Sequence, residues 1–233
     1  MQAIILAGGF GTRLKQVISD VPKPMAPIRG RPFLAYLIEY LAVFGVDEIM
    51  LSIHHQKDVI TDYFKNSYHG ISIKYADEDQ PLGTGGAIKY SLQKLNSNKP
   101  VLVLNGDTFL KMNFKEIYQI HKGKLTIALR AVEDTSRYGC VESKDGIVTS
   151  FGEKGKSGQG YINAGVYVVS PDIFDGADLG EKFSFETDFI EKNIKTINAQ
   201  SFLSNDYFID IGVPADYARA QSEIPELMVS QNV

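Results

Sequence analysis

Arg13 closes the stretch LAGGFGTR, and Lys23 follows ten residues later between Pro22 and Pro24. An arginine offers a permanent charge and fixed N–H donors, suited to phosphate oxygens. A lysine between two prolines has a stiffened backbone and can aim a point charge at one atom. Leu6 lies in the apolar run before the turn. Gly8, Gly9 and Gly11, with Thr12 beside them, let backbone N–H groups approach a phosphate. Two carboxylates complement these cations. Asp107 follows the apolar run VLVLNG, and Asp210 repeats the arrangement in FIDIG. A carboxylate at the end of a buried strand costs free energy unless it gains a partner. The glycine turn and the two cations suit contact with phosphate, which several enzyme classes make. Each has a plainer role when taken alone: a tight turn, a surface ion pair, a helix cap. Asp145, before Gly146 in an expected hairpin, is left with that plainer role.

Spacing sets aside related motifs. A dinucleotide-binding turn needs a third glycine where Leu14 stands, and an acid at the end of the second strand, where His54 and His55 stand. This disfavours a nicotinamide oxidoreductase. Gly155-Lys156-Ser157 imitates the tail of a P-loop, but position 150 is serine. The four histidines have no metal-ligand spacing, and His54 and His55 are expected on opposite faces of a strand. No catalytic-triad signature is present.

The bulk properties narrow the class further. A chain of 233 residues with 44% hydrophobic content suits one large domain. A net charge of −4 argues against a nucleic-acid partner. One cysteine, Cys140, leaves no internal disulfide and fits a reducing compartment. MQAIILAGG lacks a basic start and breaks at glycine, and the other apolar stretches are too short to span a bilayer, so a cytoplasmic protein without membrane attachment is expected. The sequence leaves a homo-oligomer open.

The elements that must position these residues follow from periodicity. AIILA, EIMLSIH, ISIKYADE and VLVL read as strands. Phe33 to Phe44 repeats apolar residues at three and four, with Gly45 placed to cap a helix. QKDVITDYFKNSYHG reads as a helix to about Gly70, and GGAIKYSLQKL as another. Strand and helix thus alternate to about residue 110, the mark of an α/β sheet. Beyond it LTIALRA, CVES, IVTSF and YINAGVYVVS read as strands between turns, the last with one wet face. SFETDFIEKNI reads as helical, and FIDIGVPADYARAQSEI as a strand end followed by a helix with Pro214 in its first turn.

The long stretch LAGGFGTRLKQVISDVPKPMAPIRGRP resembles the signature of sugar-phosphate nucleotidyltransferases, which joins G-G-x-G-T-R-L to a downstream P-K-P. The resemblance continues at PLGTGGA, LNGDTF, FGEKG, YINAGVY and FIDIGVPADY, in the family's order over nearly the whole chain. It implies a Rossmann-like α/β nucleotidyltransferase fold with a mixed, predominantly parallel central sheet. One domain over 1–233 would place NTP in a half of about 1–110 and sugar phosphate in a half of about 111–233. The implied reaction is attack of a sugar 1-phosphate oxygen on the α-phosphorus of an NTP, with release of pyrophosphate. It implies Arg13, Lys23 and Asp107 as catalytic residues and Asp107 with Asp210 as Mg²⁺ ligands. Leu6, Gly8, Gly9, Gly11, Thr12 and Arg13 would hold the nucleotide. Gly83, Thr84, Gly85 and Gly86 would let backbone reach the base, and Glu78, aligned through Pro81, would read its edge. On the sugar side Gly139 would offer a backbone N–H, Glu153 would hold hydroxyls, Lys154 the phosphate, and Asn163 a side-chain amide. Within the family the sequence is most similar to the bacterial D-glycero-D-manno-heptose 1-phosphate guanylyltransferases, which implies GTP. Mannose-1-phosphate guanylyltransferases and MurNAc-1-phosphate uridylyltransferases stand next. A non-catalytic nucleotide-sensing homologue is the competing class, and the presence of Arg13, Lys23, Asp107 and Asp210 together argues against it.

Overall fold

The computed structural model describes residues 1–9, 21–136, 138–151 and 158–229. In chain order the strands are β1 (Gln2–Leu6), β2 (Pro27–Ile28), β3 (Arg31–Pro32), β4 (Glu48–Ile53), β5 (Ser67–Tyr68), β6 (Ile71–Asp77), β7 (Val101–Asn105), β8 (Thr108–Leu110), β9 (Leu125–Val132), β10 (Cys140–Lys144), β11 (Ile147–Phe151), β12 (Gly160–Val169), β13 (Gln200–Ser204) and β14 (Phe208–Asp210). The α-helices are α1 (Phe33–Val43), α2 (Lys57–Phe64), α3 (Gly83–Leu95), α4 (Phe114–Ile120), α5 (Glu191–Ile197) and α6 (Pro214–Val229). A 3-10 turn covers Lys23–Met25, and a π-helical turn, Phe185–Ile190, runs into α5.

Ten strands form one mixed sheet in the order β10-β11-β13-β9-β12-β7-β1-β4-β6-β5. β6, β4, β1 and β7 are mutually parallel. β12 runs against both β7 and β9, while β9 and β13 are parallel. Two small ribbons, β14-β8 and β2-β3, lie outside the large sheet.

Alternating side chains explain why the central strands read as unbroken apolar runs. Ala3 and Ile5 of β1 enter one core cluster with α1, and Ile4 enters a second with α3. Leu102 and Leu104 of β7 likewise face the first, and Val101 and Val103 the second. Both faces are covered, so neither can be polar.

Several local expectations change. β12 is buried without interruption from Ala164 to Val169, not wet on one face, because Val166 and Val168 face one core and Tyr167 and Val169 the other. α2 stops at Phe64, and Ser67–Tyr68 pairs antiparallel with Ile71–Ser72 instead of extending the helix. Lys65 and His69 both take positive φ, which ends the helix and turns the chain back. His54 and His55 lie beyond the end of β4, so strand alternation does not orient them. Among the described residues, no helix is long and apolar enough to cross a membrane.

Topology decides where a ligand can sit. From β1 the chain moves outward through β4 to β6, then crosses by α3 to β7 on the other side of β1. The strand order therefore reverses beside β1. At such a switch point the following loops diverge and leave a crevice outside the carboxyl ends of the strands.

Candidate active site

A cavity of about 460 Å³ opens at this switch point. Leu6, Gly8 and Gly9 line it from the end of β1, Ser52 from β4, Glu78 from just beyond β6, and Asn105 and Asp107 from the end of β7. Backbone bonds tie these ends together. Ala7 N–H donates to Ser52 O at 2.8 Å, and Gly106 N–H donates to Leu6 O at 3.0 Å. A Cβ on Gly106 would stand 2.6 Å from Leu6 O, so the turn into Asp107 requires glycine. Among the described residues a Cβ on Gly9 would meet nothing within 4 Å, and the bare glycine backbone borders the cavity.

Lys23 enters the same cavity from its 3-10 turn. The turn is closed by Met25 N–H donating to Pro22 O at 2.7 Å, and Pro24 and Met25 are buried. The Lys23 ammonium reaches Asp107 Oδ2 at 2.5 Å and Asp210 Oδ1 at 3.5 Å. The two aspartates are 103 positions apart in number, and the small ribbon brings them together: Asp210 of β14 pairs with Thr108 of β8. Ile211 N–H donates to Asp107 O at 3.1 Å, and Gly212 N–H donates to Asp210 Oδ1 at 2.7 Å. The structure thus places Lys23, Asp107 and Asp210 at one point.

The carboxylate pair suits a hard divalent cation, since it already brackets a cation of this chain. Among the described residues no group of three or more His, Cys, Asp or Glu side chains could hold an ion. Mg²⁺ commonly takes one or two carboxylates plus phosphate oxygens and water, which matches a pair that needs the nucleotide to complete it.

Glu78 is 7% exposed and its carboxylate is already engaged. Oε1 accepts from the Ser52 hydroxyl, and Oε2 accepts from Leu82 N–H at 3.1 Å. An ionised carboxylate has about four lone-pair sites. Bonds from the described residues occupy two of them.

The glycine-rich turn Gly83–Gly86 is built differently from the sequence reading. Gly83 and Thr84 line the cavity, but Gly85 and Gly86 are buried. Gly85 and Gly86 N–H donate to Phe183 O at 3.0 and 3.3 Å, and Phe183 N–H donates to Leu82 O at 3.0 Å. A Cβ on Gly83 would lie 2.6 Å from Phe183 O; one on Gly85 would strike the Phe183 ring, and one on Gly86 the Glu181 carbonyl oxygen. These glycines admit the neighbouring backbone of 181–185. We expect Gly86→Ala to destabilise the protein by about 1–3 kcal/mol, as overpacking does, although alanine favours a helix interior over glycine. Urea unfolding checks this; an alanine variant as stable as the parent would mean that the segment moves aside freely.

Two residues that the sequence did not single out connect to this turn: Glu186, just past that segment, and Tyr167 of β12. Thr84 Oγ1 donates to Glu186 Oε2 at 2.8 Å and accepts from Phe185 N–H at 2.8 Å. Tyr167 OH donates to Glu186 Oε1 at 2.9 Å, and Asn163 Nδ2 donates to Tyr167 OH at 2.7 Å. Burial, and then the Glu186 charge, push the Tyr167 phenol well above its ordinary pKa, which keeps it a proton donor. Asn163 Oδ1 accepts from Gly165 N–H at 3.0 Å, so its amide is held in one orientation with one N–H hydrogen free of these bonds. Gly139 precedes β10, whose Cys140 pairs with Ile162 beside Asn163. Gly139 and Asn163 therefore share one neighbourhood, linked through Tyr167 and Glu186 to Thr84. Gly11, Thr12, Arg13, Glu153 and Lys154 lie outside the described residues.

A switch-point cavity with a cation, two carboxylates and a glycine-bare strand end has the parts of a nucleotide-handling enzyme. The profile of the family described as Nucleotidyl transferase matches residues 2–226, and the chain belongs to that family. It is 46% identical over 227 residues to the D-glycero-alpha-D-manno-heptose 1-phosphate guanylyltransferase of Aneurinibacillus thermoaerophilus, covering 96% of this chain and 98% of that protein. It is 47% identical over 218 residues to the Campylobacter jejuni protein of the same name, covering 93% and 97%. The crystal structure of HddC from Yersinia pseudotuberculosis superposes with a TM-score of 0.85 at 41% identity, over 95% of this chain and 98% of that one. HddC complexed with GMP-PN gives a TM-score of 0.83 at 39% identity, with the same coverage.

Proposed function

We propose that this chain transfers a guanylyl group from GTP to D-glycero-α-D-manno-heptose 1-phosphate, giving the GDP-sugar and pyrophosphate. The chemical class is carried by one observation: Lys23, Asp107 and Asp210 meet in the cavity at the carboxyl ends of β1 and β7. The choice of GTP and a heptose rests on similarity to two heptose 1-phosphate guanylyltransferases over nearly their full length.

In this reading a phosphate oxygen of the sugar attacks the α-phosphorus, and the bond to the pyrophosphate oxygen breaks. The protein's share is positioning and charge stabilisation. Leu6, Gly8, Gly9, Gly11, Thr12 and Arg13 would hold the nucleotide, with Arg13 on the triphosphate. Lys23 would oppose charge at the α-phosphate. Asp107 and Asp210 would hold Mg²⁺, which when bound offsets charge on the leaving pyrophosphate. Gly83 and Thr84 would border the base. Gly139, Glu153, Lys154 and Asn163 would hold the sugar phosphate. The part before about residue 110 would serve the nucleotide and the part after it the sugar, with Asp210 reaching back to the nucleotide's metal. The reaction would take place in the cytoplasm.

Pyrophosphate release across the four NTPs and a panel of heptose, mannose and MurNAc 1-phosphates tests the proposal. Highest kcat/KM with GTP and the heptose supports it. Tight GTP binding with no turnover on any sugar would replace it with nucleotide sensing.

Glu78 gives a separate test of base choice. Guanine presents N1–H and N2–H₂ side by side, and a carboxylate can accept both, whereas uracil offers only N3–H. Glu78→Gln can keep the loop, because its carbonyl accepts from Leu82 N–H while the Ser52 hydroxyl turns to accept from its amide. The charge is lost, and hydrogen bonds to charged groups are worth about 1.5–3 kcal/mol. The GTP-over-UTP ratio of kcat/KM should fall by roughly 10-fold or more on that scale. An unchanged ratio would assign base recognition to the backbone of Gly83 and Thr84 instead.

A further inference from the structure

We propose that Lys23 is the built-in counter-ion of the Asp107–Asp210 pair in the nucleotide-free protein, and that Gly212 is the positioning residue that makes room for it. In this state the ammonium competes with a divalent ion for the two carboxylates. The inference rests on the metal role proposed above for Asp107 and Asp210.

The position between the carboxylates is shaped for the ammonium. Lys23 Nζ is in contact with Asp107 Oδ2 at 2.5 Å and within 3.5 Å of Asp210 Oδ1, and its side chain is only 15% exposed. An ammonium withdrawn from water needs such compensation. Gly212 supplies the space. A Cβ there would overlap Lys23 Nζ, stand 2.7 Å from its Cε and lie 2.8 Å from Asp210 Oδ1. Gly212 does not take a positive φ, so its backbone conformation does not demand glycine. The crowding comes from the lysine end and the Asp210 carboxylate, which would have to shift to admit a methyl group. Gly212 N–H also donates to Asp210 Oδ1 at 2.7 Å, which turns that oxygen toward the cradle.

Two cations in contact with one carboxylate pair repel each other, and desolvation strengthens the repulsion. A divalent ion entering without nucleotide must displace Lys23 from both of its carboxylate partners. A nucleoside triphosphate removes this obstacle. Its α-phosphate gives the ammonium a new counter-charge, and its phosphate oxygens add ligands for the ion. Metal and nucleotide then bind as mutually dependent ligands, and Lys23 moves from the carboxylates to the phosphate in the exchange.

The test is Mn²⁺ binding to the full chain without nucleotide, read as the loss of the free-ion EPR signal. Lys23→Met should bind Mn²⁺ about 10-fold or more tightly than the parent, within the usual range of coupling between two bound ligands. Gly212→Ala, which crowds the ammonium out but leaves it nearby, should shift affinity in the same direction by less. In the unaltered protein, reductive methylation followed by peptide mass spectrometry should label Lys23 slowly, and Mn²⁺ alone should accelerate it. Unchanged or weaker Mn²⁺ binding in Lys23→Met, or labelling of Lys23 that is fast and indifferent to Mn²⁺, overturns the inference. If the parent then still binds Mn²⁺ with a non-hydrolysable GTP analogue, the metal reading stands without it. If Mn²⁺ does not bind even then, both fall.

Discussion

Asp107→Asn and Asp210→Asn should each abolish most nucleotidyl transfer, lowering kcat/KM by roughly 100-fold or more, the scale of losing one preorganised electrostatic group. The two carboxylates act on a single point, since oxygens of both lie within 3.5 Å of Lys23 Nζ. With two carboxylates at the proposed ion site among the described residues, changing one to an amide removes half of that charge. The double variant should therefore be little worse than either single one, because groups that act as a unit are not additive. Excess EDTA should silence the parent to the same degree. Steady-state pyrophosphate release measures all four conditions. Full activity in EDTA, or a double variant whose losses multiply, would remove the shared metal from the mechanism. The fold should survive either single change, since Lys23 keeps the other aspartate as partner.

Lys23→Ala should keep the fold and also lower kcat/KM by about 100-fold or more, again the cost typical of one electrostatic donor in a preorganised site. The loss should fall mainly on kcat, because charge opposing the α-phosphate matters most while the bond to pyrophosphate breaks. The backbone of residue 23 is held by Pro22, Pro24 and the closed 3-10 turn, so removing the side chain leaves the loop in place. Circular dichroism with single-turnover kinetics separates the two effects; near-normal turnover would take Lys23 out of the chemistry. This variant and the aspartate variants should part company in one measurement. Both lose turnover, but only loss of the lysine should tighten divalent-ion binding without nucleotide.

Much of this arrangement was legible in the amino-acid order. The runs AIILA and VLVL are apolar at every position because β1 and β7 carry core on both faces, and that pattern is local. Gly45 ends α1 by taking φ +82°, a conformation that glycine adopts without strain. The glycines after β1, the lysine between prolines and the two aspartates at the ends of apolar runs each carry their chemistry in residue type and near neighbours. Motif order, through its resemblance to the sugar-phosphate nucleotidyltransferases, could therefore point to nucleotidyl transfer.

What the tertiary structure decided depends on partners distant in sequence. Thr84 and Glu186 are 102 positions apart, and no spacing rule joins them. Gly85 and Gly86 looked like ligand-facing freedom, yet the backbone of 181–185 occupies the space a side chain would need. A missing Cβ records only that something approaches closely, not whether it is a ligand or the protein itself. β12 reads as half-wet because its alternation is loose, whereas the two core clusters cover both of its faces between β7 and β9. Gly212 lies 189 positions from Lys23, and its role appears only when the ammonium is seen where a methyl group would be. Local sequence carries chemistry and periodicity because both are properties of adjacent bonds. Burial, close approach and the sharing of one cation by two carboxylates are set by how the chain returns upon itself.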